Sequence, residues 1–499
     1  MALEFVTTDQ TATYMVDPGD EVFVTAGTEF QVSDGFEFAD FGTMEVYFAG
    51  DMYLGDDLVD DSFTNTAGLD LFFTFAAGST SLIAGDAFVL TADSSVTSEF
   101  TVSNAGAITV GETFLFALNF DAVSFANSGT LTGLSTNSQA LFSQLGSSTD
   151  FTFSNTGTIE TVGNTAVILL SARELDIVNF GTITSGSATA FSIAGTASSN
   201  FTIFNGGQIH GLITTSGATE FGNSGELYGS LSLSNYVDDV SNTGELFGDV
   251  DTRGDDDTVT NYGTIFGAVE TSTGNDTVSN SGAITGDVDL GSNTNALHNT
   301  GEILGQALGG SGNDTFFNSG QIMGSVLLSD GLNFMANSGT IFGTLVGGSS
   351  TDQITNSGTV NGNVDLGSGS DTYKGTGKVD GTILGQNGND TITGGSFADT
   401  IDGGGNDDTL NGGGGDDDLN GGDGNDTVRG NAGEDDITGG DGADTLRGGQ
   451  DNDTMTGDEG TDTMYGGAGN DDMDGGTEID TMYGGDGADD MEGGDGSDI

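Results

Sequence analysis

The chain has 499 residues, including 88 Gly, one Pro and neither Cys nor Trp, and 34% of its residues are hydrophobic. An ordinary globular domain contains roughly 45–50% apolar residues, so this composition argues against a single thick core and favours a repeat architecture. With 77 Asp and Glu against 6 Lys and Arg, the formal net charge is -71. That charge makes nucleic acid and anionic membranes poor partners and divalent cations good ones.

The first segment, residues 1–60, is rich in Phe, Val and Asp without a clear period. Its first thirty residues contain no Lys or Arg and therefore lack the positive region of a cleaved secretory signal. We expect this segment to form an N-terminal β cap that shields the end of a repeat structure. No apolar run of the chain approaches the roughly 18 residues that span a bilayer, so no membrane insertion is expected.

An N-x-G motif recurs at irregular distances within residues 61–204. It begins at Asn104, Asn127, Asn155 and Asn179, with gaps of 23 to 28 residues. This spacing predicts a β-helix with wide, irregular coils in this part of the chain.

Residues 205–384 repeat the same motif with a period of nineteen. Its Asn occupies Asn223, Asn242, Asn261, Asn280, Asn299, Asn318, Asn337 and Asn356. An apolar column of the same period runs through Val259, Val278, Leu297, Phe316, Met335, Ile354 and Tyr373. A single coil has too few apolar side chains to shield them from water by itself, so the coils must stack on one another. We expect the Asn column to form a stacked amide ladder without a catalytic role.

Residues 385–499 divide without a gap into nine-residue repeats, beginning GQNGNDTIT and GGSFADTID. Position one is Gly and position six is Asp in all thirteen copies, and position eight is apolar in all twelve complete copies. This is the G-G-x-G-x-D-x-U-x pattern of calcium-binding repeats. Ile392, at position eight of the first copy, lies nineteen residues after Tyr373, so we expect the two repeat systems to join without a linker. Position eight should form a core ladder, including Met455, Met464, Met473, Met482 and Met491.

The nonapeptides resemble the RTX, or haemolysin-type, calcium-binding repeat family over residues 385–499. The resemblance implies a parallel β-roll with multiple calcium ions between stacked turns on each edge. The implied carboxylate ligands are Asp390, Asp399, Asp408, Asp417, Asp426, Asp435, Asp444, Asp453, Asp462, Asp471, Asp480, Asp489 and Asp498. Turn carbonyl ligands are implied around Gly388, Gly415, Gly424, Gly433, Gly442, Gly460, Gly469, Gly487 and Gly496. This ligand set suits Ca²⁺, which takes six to eight hard oxygen ligands.

Some turns depart from this pattern. Position four holds Phe397, Asn406, Asp451 or Glu478 instead of Gly, and position two holds Gln386, Asn431 or Asp458. A left-handed turn is difficult for Phe397 and Glu478, whereas Asn and Asp tolerate it. These turns are therefore the weaker candidates for calcium.

A partial version of the turn occurs in the nineteen-residue coils. Its acidic column comprises Asp238, Asp257, Asp276, Asp314, Asp352 and Asp371, and Asn295 and Asn333 interrupt it. Two interpretations stay open: these residues bind calcium, or they cap turns, as Asp does widely.

Together these patterns predict an all-β chain, a right-handed parallel β-solenoid. Short triplets of alternating apolar and polar residues suit strands, and the Gly and Asn between them suit tight turns. A β-helix of about nineteen-residue coils should continue into a calcium-binding β-roll. Helix should be nearly absent.

The leading functional hypothesis is a secreted, calcium-binding structural or adhesive protein, extracellular or on the cell surface, that calcium folds after export. The family resemblance implies type I secretion, and since the sequence stops inside a repeat at Ile499 we expect the natural chain to continue. A cell-surface glycan and self-assembly are the candidate further partners.

The alternative is a carbohydrate-active enzyme, namely a polysaccharide lyase, epimerase or hydrolase, on the irregular coils. The shortage of Arg, Lys and His argues against it, because such enzymes use these residues for uronate binding and proton abstraction. We find no catalytic motif and predict no enzymatic activity.

Overall fold

The computed structural model describes residues 69–84, 87–91, 98–118, 120–135, 140–143, 149–163, 166–196 and 198–499, and before residue 69 it describes strands only. The chain divides into two compact units, Met1–Gly267 and Ala268–Ile499, called here the first and the second unit. The described residues form strands and no helix, and the strands pair in parallel as a β-solenoid. The predicted all-β parallel solenoid is confirmed. Among these residues there is no helix with the length and apolar character needed to span a bilayer.

Two parallel sheets form each unit. In the first unit, the strands of one sheet are Leu3–Val6, Glu21–Val24, Gly42–Phe48, Leu69–Phe75, Glu99–Asn104, Ala122–Asn127, Asp150–Asn155, Glu174–Asn179, Asn200–Asn205, Ala218–Asn223, Asp239–Asn242 and Thr258–Asn261. The strands of the other are Tyr14–Val16, Glu29–Val32, Phe36–Phe38, Asp51–Leu54, Val59–Ser62, Thr80–Ile83, Phe88–Thr91, Ala107–Val110, Leu115–Leu118, Thr130–Gly133, Phe142–Ser143, Thr158–Thr161, Ile168–Ser171, Thr182–Ala194, Gln208–Thr215, Glu226–Tyr228, Leu231–Ser232, Glu245–Leu246, Val250–Asp251 and Thr264–Ile265.

The second unit has the same arrangement. The strands of one sheet are Thr277–Asn280, Ala296–Asn299, Thr315–Asn318, Phe334–Asn337, Gln353–Asn356, Thr372–Gly375, Thr391–Gly395, Thr409–Gly414, Thr427–Ala432, Thr445–Gln450, Thr463–Ala468 and Thr481–Asp486. The strands of the other are Val269–Glu270, Ala283–Ile284, Val288–Asp289, Glu302–Ile303, Ala307–Leu308, Gln321–Ile322, Val326–Ser329, Thr340–Ile341, Leu345–Gly348, Thr359–Val360, Val364–Gly367, Lys378–Val379, Thr382–Asn387, Thr400–Gly405, Asp418–Asp423, Asp436–Asp441, Thr454–Glu459, Asp472–Asp474 and Asp490–Glu492.

Coil length in the first unit follows the spacing of the N-x-G motif. Successive asparagines that face each other across coils lie 23, 28, 24 and 26 residues apart from Asn104 to Asn205, and then 18 and 19 residues apart up to Asn242. The strands described within residues 1–60 also pair in parallel, for example Glu21–Val24 with Gly42–Phe48. The remainder of the predicted cap lies outside the described residues, so the capping role and the predicted segment boundaries stay predictions.

The two units bury different cores. Wide coils in the first unit enclose phenylalanines such as Phe73, Phe88 and Phe100, which are at most 1% exposed and have ring centroids 4.8–6.0 Å apart. The second unit buries a narrow column of single apolar residues per half-coil. In the nonapeptides this column is buried from Ile392 to Met473, and it opens at Met491, which is 49% exposed because the final coils are covered on one side only.

The nineteen-residue coils join the nonapeptides without an interruption. Tyr373 faces Ile392 across neighbouring strands, as their shared phase predicts. In the other sheet Ile383 faces Val364 on one side and Ile401 on the other. No linker or separate globule lies between these coils.

The Asn column forms the predicted amide ladder. Each Nδ2 donates to Oδ1 of the next Asn at 2.7–2.9 Å, from Asn104 to Asn261 in the first unit and from Asn280 to Asn356 in the second. The ladder stops where the next coil has Gly375, and Asn356 Nδ2 lies 3.4 Å from the Tyr373 hydroxyl instead. These asparagines are buried and fully engaged with each other, so their role is structural.

Candidate metal centre

The position-six aspartates lie in two columns, one along each edge of the second unit's nonapeptide coils. Each Asp ends a Gly-rich turn and directly precedes a strand, as Asp390 precedes Thr391–Gly395. From Asp390 to Asp480, the backbone N–H of each Asp donates to Oδ1 of the Asp eighteen residues later at 2.7–3.2 Å. One carboxylate oxygen per residue therefore connects neighbouring turns, except in Asp399, whose Oδ1 also has no hydrogen-bond partner.

The second carboxylate oxygen has no such partner. Oδ2 is buried and without a hydrogen bond in Asp390, Asp399, Asp408, Asp417, Asp426, Asp435, Asp444, Asp453, Asp462, Asp471 and Asp480. Asp489 and Asp498, in the last coils, are half-buried. Buried polar atoms in folded proteins are nearly always paired, so a column of unpaired carboxylate oxygens indicates a ligand.

The invariant Gly at position one leaves open the space into which Oδ2 points. A Cβ added at Gly385 would lie 2.7 Å from Asp390 Oδ2 and 2.3 Å from the carbonyl oxygen of Gly403, one coil further on. At Gly412 it would lie 2.1 Å from Asp417 Oδ2. A carboxylate oxygen and a backbone carbonyl oxygen thus converge on a volume that any side chain would fill.

Turn conformation explains the glycines at positions two and four. All thirteen position-two residues have positive φ, including Gln386, Asn431 and Asp458 at 75°, 78° and 72°. At position four the predicted carbonyl donors Gly388, Gly415, Gly424, Gly433, Gly442, Gly460, Gly469 and Gly487 have φ of 110–155°. A Cβ at Gly442 would lie 1.6 Å from the carbonyl oxygen of Gly424 in the preceding coil, so the stacked turns leave no room for one.

Most of the turns that have another residue in place of Gly at position four keep the positive φ at that position. Asn406, Asp451 and Glu478 have φ of 81°, 74° and 77°, so even Glu478 adopts the left-handed turn that its side chain disfavours. Phe397 does not adopt it, and its side chain is 45% exposed. Of the substituted turns, the one before Asp399 therefore differs most from the repeat.

Burial makes the cation-free column hard to ionise. Desolvation raises the pKa of Asp390, Asp399 and Asp426 to about 6. The pKa of Asp408, Asp417, Asp453 and Asp462 rises to about 7, because desolvation acts together with repulsion from stacked neighbours such as Asp390 and Asp426. A bound cation would favour the ionised carboxylates and remove this repulsion.

The donor set fits calcium. Among the described residues, no three His, Cys, Asp or Glu side chains are grouped so as to hold a metal ion by themselves. A metal here must take backbone carbonyls beside the Asp oxygens, and an all-oxygen set with many carbonyls is the preference of Ca²⁺. Calcium would supply charge neutralisation and would connect successive turns; which of the predicted Asp and Gly residues are its ligands stays a prediction.

The hydrogen-bonded column of the nonapeptides continues into the nineteen-residue coils. Asn295 and Asn333 interrupt the acidic residues of the nineteen-residue coils, but they do not interrupt the ladder. Asn295 N–H donates to Asp314 Oδ1 at 2.8 Å and Asn333 N–H to Asp352 Oδ1 at 2.9 Å, and Asp371 N–H donates to Asp390 Oδ1 at 2.7 Å. The shared phase of these positions was the available signal, since an Asn Oδ1 accepts as an Asp Oδ1 does.

Parallel coils whose turns present buried, unpaired carboxylate oxygens beside backbone carbonyls define a cation-binding β-solenoid. The family model of the RTX calcium-binding nonapeptide repeat matches this chain in four copies, at residues 384–419, 412–446, 438–473 and 465–499. Residues 384–499 are RTX calcium-binding nonapeptide repeats, as the sequence pattern predicted, and a repeat of this type is calcium-binding. A search of curated proteins found no match to the chain.

Proposed function

We propose that this protein is a non-enzymatic structural or adhesive protein that leaves the cell unfolded, by type I secretion, and is folded by calcium outside it. RTX repeats on a β-solenoid fit a secreted calcium-binding protein. The observation that carries the proposal is the column of buried Oδ2 atoms without partners along both edges of the nonapeptides.

The stability of the nonapeptide fold depends on the calcium concentration around it. A narrow core with one apolar side chain per nonapeptide offers little to offset repulsion and desolvation in the Asp columns. Extracellular modules bind calcium with dissociation constants of roughly 10⁻⁴ to 10⁻³ M. Free calcium far below that range inside a cell would leave the nonapeptides unfolded and suited to export, and calcium outside would fold them.

Glycan binding and self-assembly are the two forms that adhesion would take. The calcium-loaded full chain should be applied to immobilised glycans and to bacterial cells, with a chelator as control, and its oligomeric state should be measured by analytical ultracentrifugation. Calcium-dependent retention or self-association supports adhesion; a monomer that binds neither surface contradicts it. Release of shortened or unsaturated sugars from the same glycans would favour the carbohydrate-active enzyme instead.

A further inference from the structure

Upstream of the RTX repeats, Asp314, Asp352 and Asp371 of the second unit carry the same orphaned carboxylate, and at Asp314 and Asp352 a glycine leaves space in front of it. Asp314 and Asp352 are 1% and 0% exposed, and Oδ2 of each has no hydrogen-bond partner. Oδ1 of each accepts the backbone N–H of the Asn one coil earlier. A buried carboxylate with one unpaired oxygen is costly to ionise, and burial raises the pKa of Asp314 to about 6 and that of Asp352 to about 7.

The space in front of these oxygens has the shape found in the nonapeptides. A Cβ added at Gly309 would lie 2.7 Å from Asp314 Oδ2 and 2.6 Å from the carbonyl oxygen of Leu328. At Gly347 it would lie 2.7 Å from Asp352 Oδ2 and 2.3 Å from the carbonyl oxygen of Leu366. These distances nearly match those at Gly385, the first RTX turn, so the same two kinds of oxygen converge on the same open volume.

Two neighbouring coils, one before Asp314 and one between Asp314 and Asp352, have a large apolar residue in place of the Gly and lack the charge. Where the column has Asn295 or Asn333, the residue five positions earlier is Leu290 or Leu328, each fully buried. Where it has Asp314 or Asp352, that residue is Gly309 or Gly347.

In two further coils, a side chain takes the position that is Gly309 or Gly347 in the coils of Asp314 and Asp352. In the coil before Leu290, the Thr271 hydroxyl donates to the Leu290 carbonyl oxygen at 2.8 Å. In the coil of Asp371, the buried side chain of Leu366 occupies the position that Gly309 and Gly347 leave open, so that acid is not a candidate of the same kind. An open volume and a buried acid therefore occur together at Asp314 and Asp352. The fold of the coil does not require this combination, because neighbouring coils form with Leu at the Gly position.

We propose that Asp314 and Asp352 each bind one divalent cation, calcium by the chemistry of the donors, in two sites outside the RTX repeats. The carboxylate Oδ2 and the carbonyl oxygen of the following coil, from Leu328 and Leu366 respectively, provide hard oxygen ligands. Each cation connects consecutive coils of the nineteen-residue solenoid. The inference rests on these two turns and does not depend on secretion or adhesion.

Hydrogen–deuterium exchange of the full chain, measured by mass spectrometry in chelator and in calcium, tests the two sites locally. The variants are Asp314→Asn and Asp352→Asn, because Asn is the native residue at the same position of neighbouring coils and keeps the ladder acceptor. Glu302→Gln, on an exposed side chain of the same unit, controls for loss of one negative charge. At about 10 mM calcium, sites in the range of extracellular modules should slow exchange about 10- to 100-fold.

The expected result is that calcium protects residues 309–317 and 347–355 in the native chain and in Glu302→Gln. Asp314→Asn should remove this protection at 309–317 and Asp352→Asn at 347–355, while residues 400–480 respond to calcium normally. Protection that is equal in the native chain and both variants, or equal in chelator and calcium, overturns the proposal. Loss of the calcium response only in residues 400–480 would count against the RTX sites and not against these two.

A variant that fails to fold locally would exchange fast at its own turn under both conditions. Anomalous diffraction from crystals of the native chain grown in calcium then decides the question. Ion density beside both Asp314 Oδ2 and Asp352 Oδ2 supports the sites, and its absence while the RTX turns hold ions overturns them.

Discussion

At the scale of single residues, asparagine and aspartate each form a hydrogen-bonded column that connects the stacked coils, but they do so differently. An amide donates through Nδ2 and accepts through Oδ1, so Asn280 is joined to Asn299 at 2.8 Å and also reaches the carbonyl oxygens of Gly282 and Glu302. An ionised Asp at the turn can only accept, and one of its oxygens is left without a partner. The amide therefore completes a ladder by itself, whereas the unpaired oxygen of the carboxylate still needs a cation or a proton.

The ladder predicts that Asn280→Ala lowers stability without affecting ligand binding. The change leaves buried donors and acceptors unpaired, so the free energy of unfolding in calcium should fall by about 1–3 kcal/mol. Urea denaturation of the full chain measures this change. Asn361→Ala, which removes an exposed amide, is the matched control and should change stability by less than about 0.5 kcal/mol. Equal effects of the two substitutions would contradict the ladder's role.

The open space at position one predicts that Gly412→Ala disturbs its turn. The new Cβ would lie 2.1 Å from Asp417 Oδ2, and neither this Gly nor the control has a positive φ. Displacing the carboxylate or the backbone should cost about 1–3 kcal/mol of stability in calcium. Gly405→Ala is the control, because its Cβ would find no atom nearer than 3.8 Å. Thermal melting of both variants in calcium tests the difference, and a shared melting temperature would refute the steric argument.

At the scale of the turn and strand, we expect the two Asp columns to act as cooperative elements, because an ion bound between stacked turns would connect neighbouring coils. The double variant Asp426→Ala and Asp444→Ala should raise the calcium concentration at half-folding on the order of tenfold, since it removes two stacked carboxylates of one edge. Far-ultraviolet circular dichroism during a calcium titration gives the midpoint. Asp423→Ala with Asp441→Ala removes the same charge from exposed positions and should leave the midpoint nearly unchanged.

The raised pKa values predict an opposite response to acid with and without calcium. Asp408 and Asp462 have a pKa of about 7 in the cation-free fold against 3.8 in a solvated chain, so that fold binds more protons than the unfolded chain between these values. Its stability is therefore lost as pH rises through about 7 and is fully present below about 3.8. In chelator, strand content should increase as pH falls from 7.5 towards about 5.

Calcium binding should weaken over the same pH range, because protons compete for the carboxylates. Asp408→Asn with Asp462→Asn should reduce the acid response in chelator, while the exposed pair Asp418→Asn with Asp436→Asn should not. Circular dichroism at fixed ionic strength measures both. Strand content that stays constant from pH 7.5 to 5 in chelator would disprove the titration of this column.

Period and phase allowed much of this to be predicted from the sequence. Tyr373 and Ile392 share a phase, and that alone fixed the register across the change of repeat length. The sequence did not reveal that Glu478 keeps a left-handed turn, because stacking against neighbouring turns overrides the preference of a single residue. Nor did the sequence reveal that Gly309 precedes Asp314 at the position where Leu328 precedes Asn333. The importance of this position is visible only once the coils are stacked and it lies beside the acidic column.

At the scale of the whole molecule, we expect the two units to differ in whether they need calcium in order to fold. Described coils of the first unit contain a phenylalanine core, and its buried Asp238 already accepts hydrogen bonds from the Ser234 and Thr219 backbones. The nonapeptides of the second unit have a narrow core and a series of unpaired carboxylate oxygens. We therefore predict that the full chain in chelator keeps slow hydrogen exchange in the wide coils, around residues 99–127, and exchanges fast in residues 400–480.

Sodium chloride separates the two contributions of calcium, which are screening of the net charge of -71 and direct ligation. At about 1 M salt the Debye length is roughly 3 Å, so repulsion between solvent-exposed carboxylates is largely screened, yet the buried Oδ2 atoms still have no partner. Residues 400–480 should therefore stay unprotected in chelator at high salt and become protected when calcium is added at millimolar concentration. Magnesium should act weakly, because it requires a small octahedral site and dehydrates reluctantly. Protection restored by sodium chloride alone would show that charge screening, and not ligation at the turns, folds the repeats.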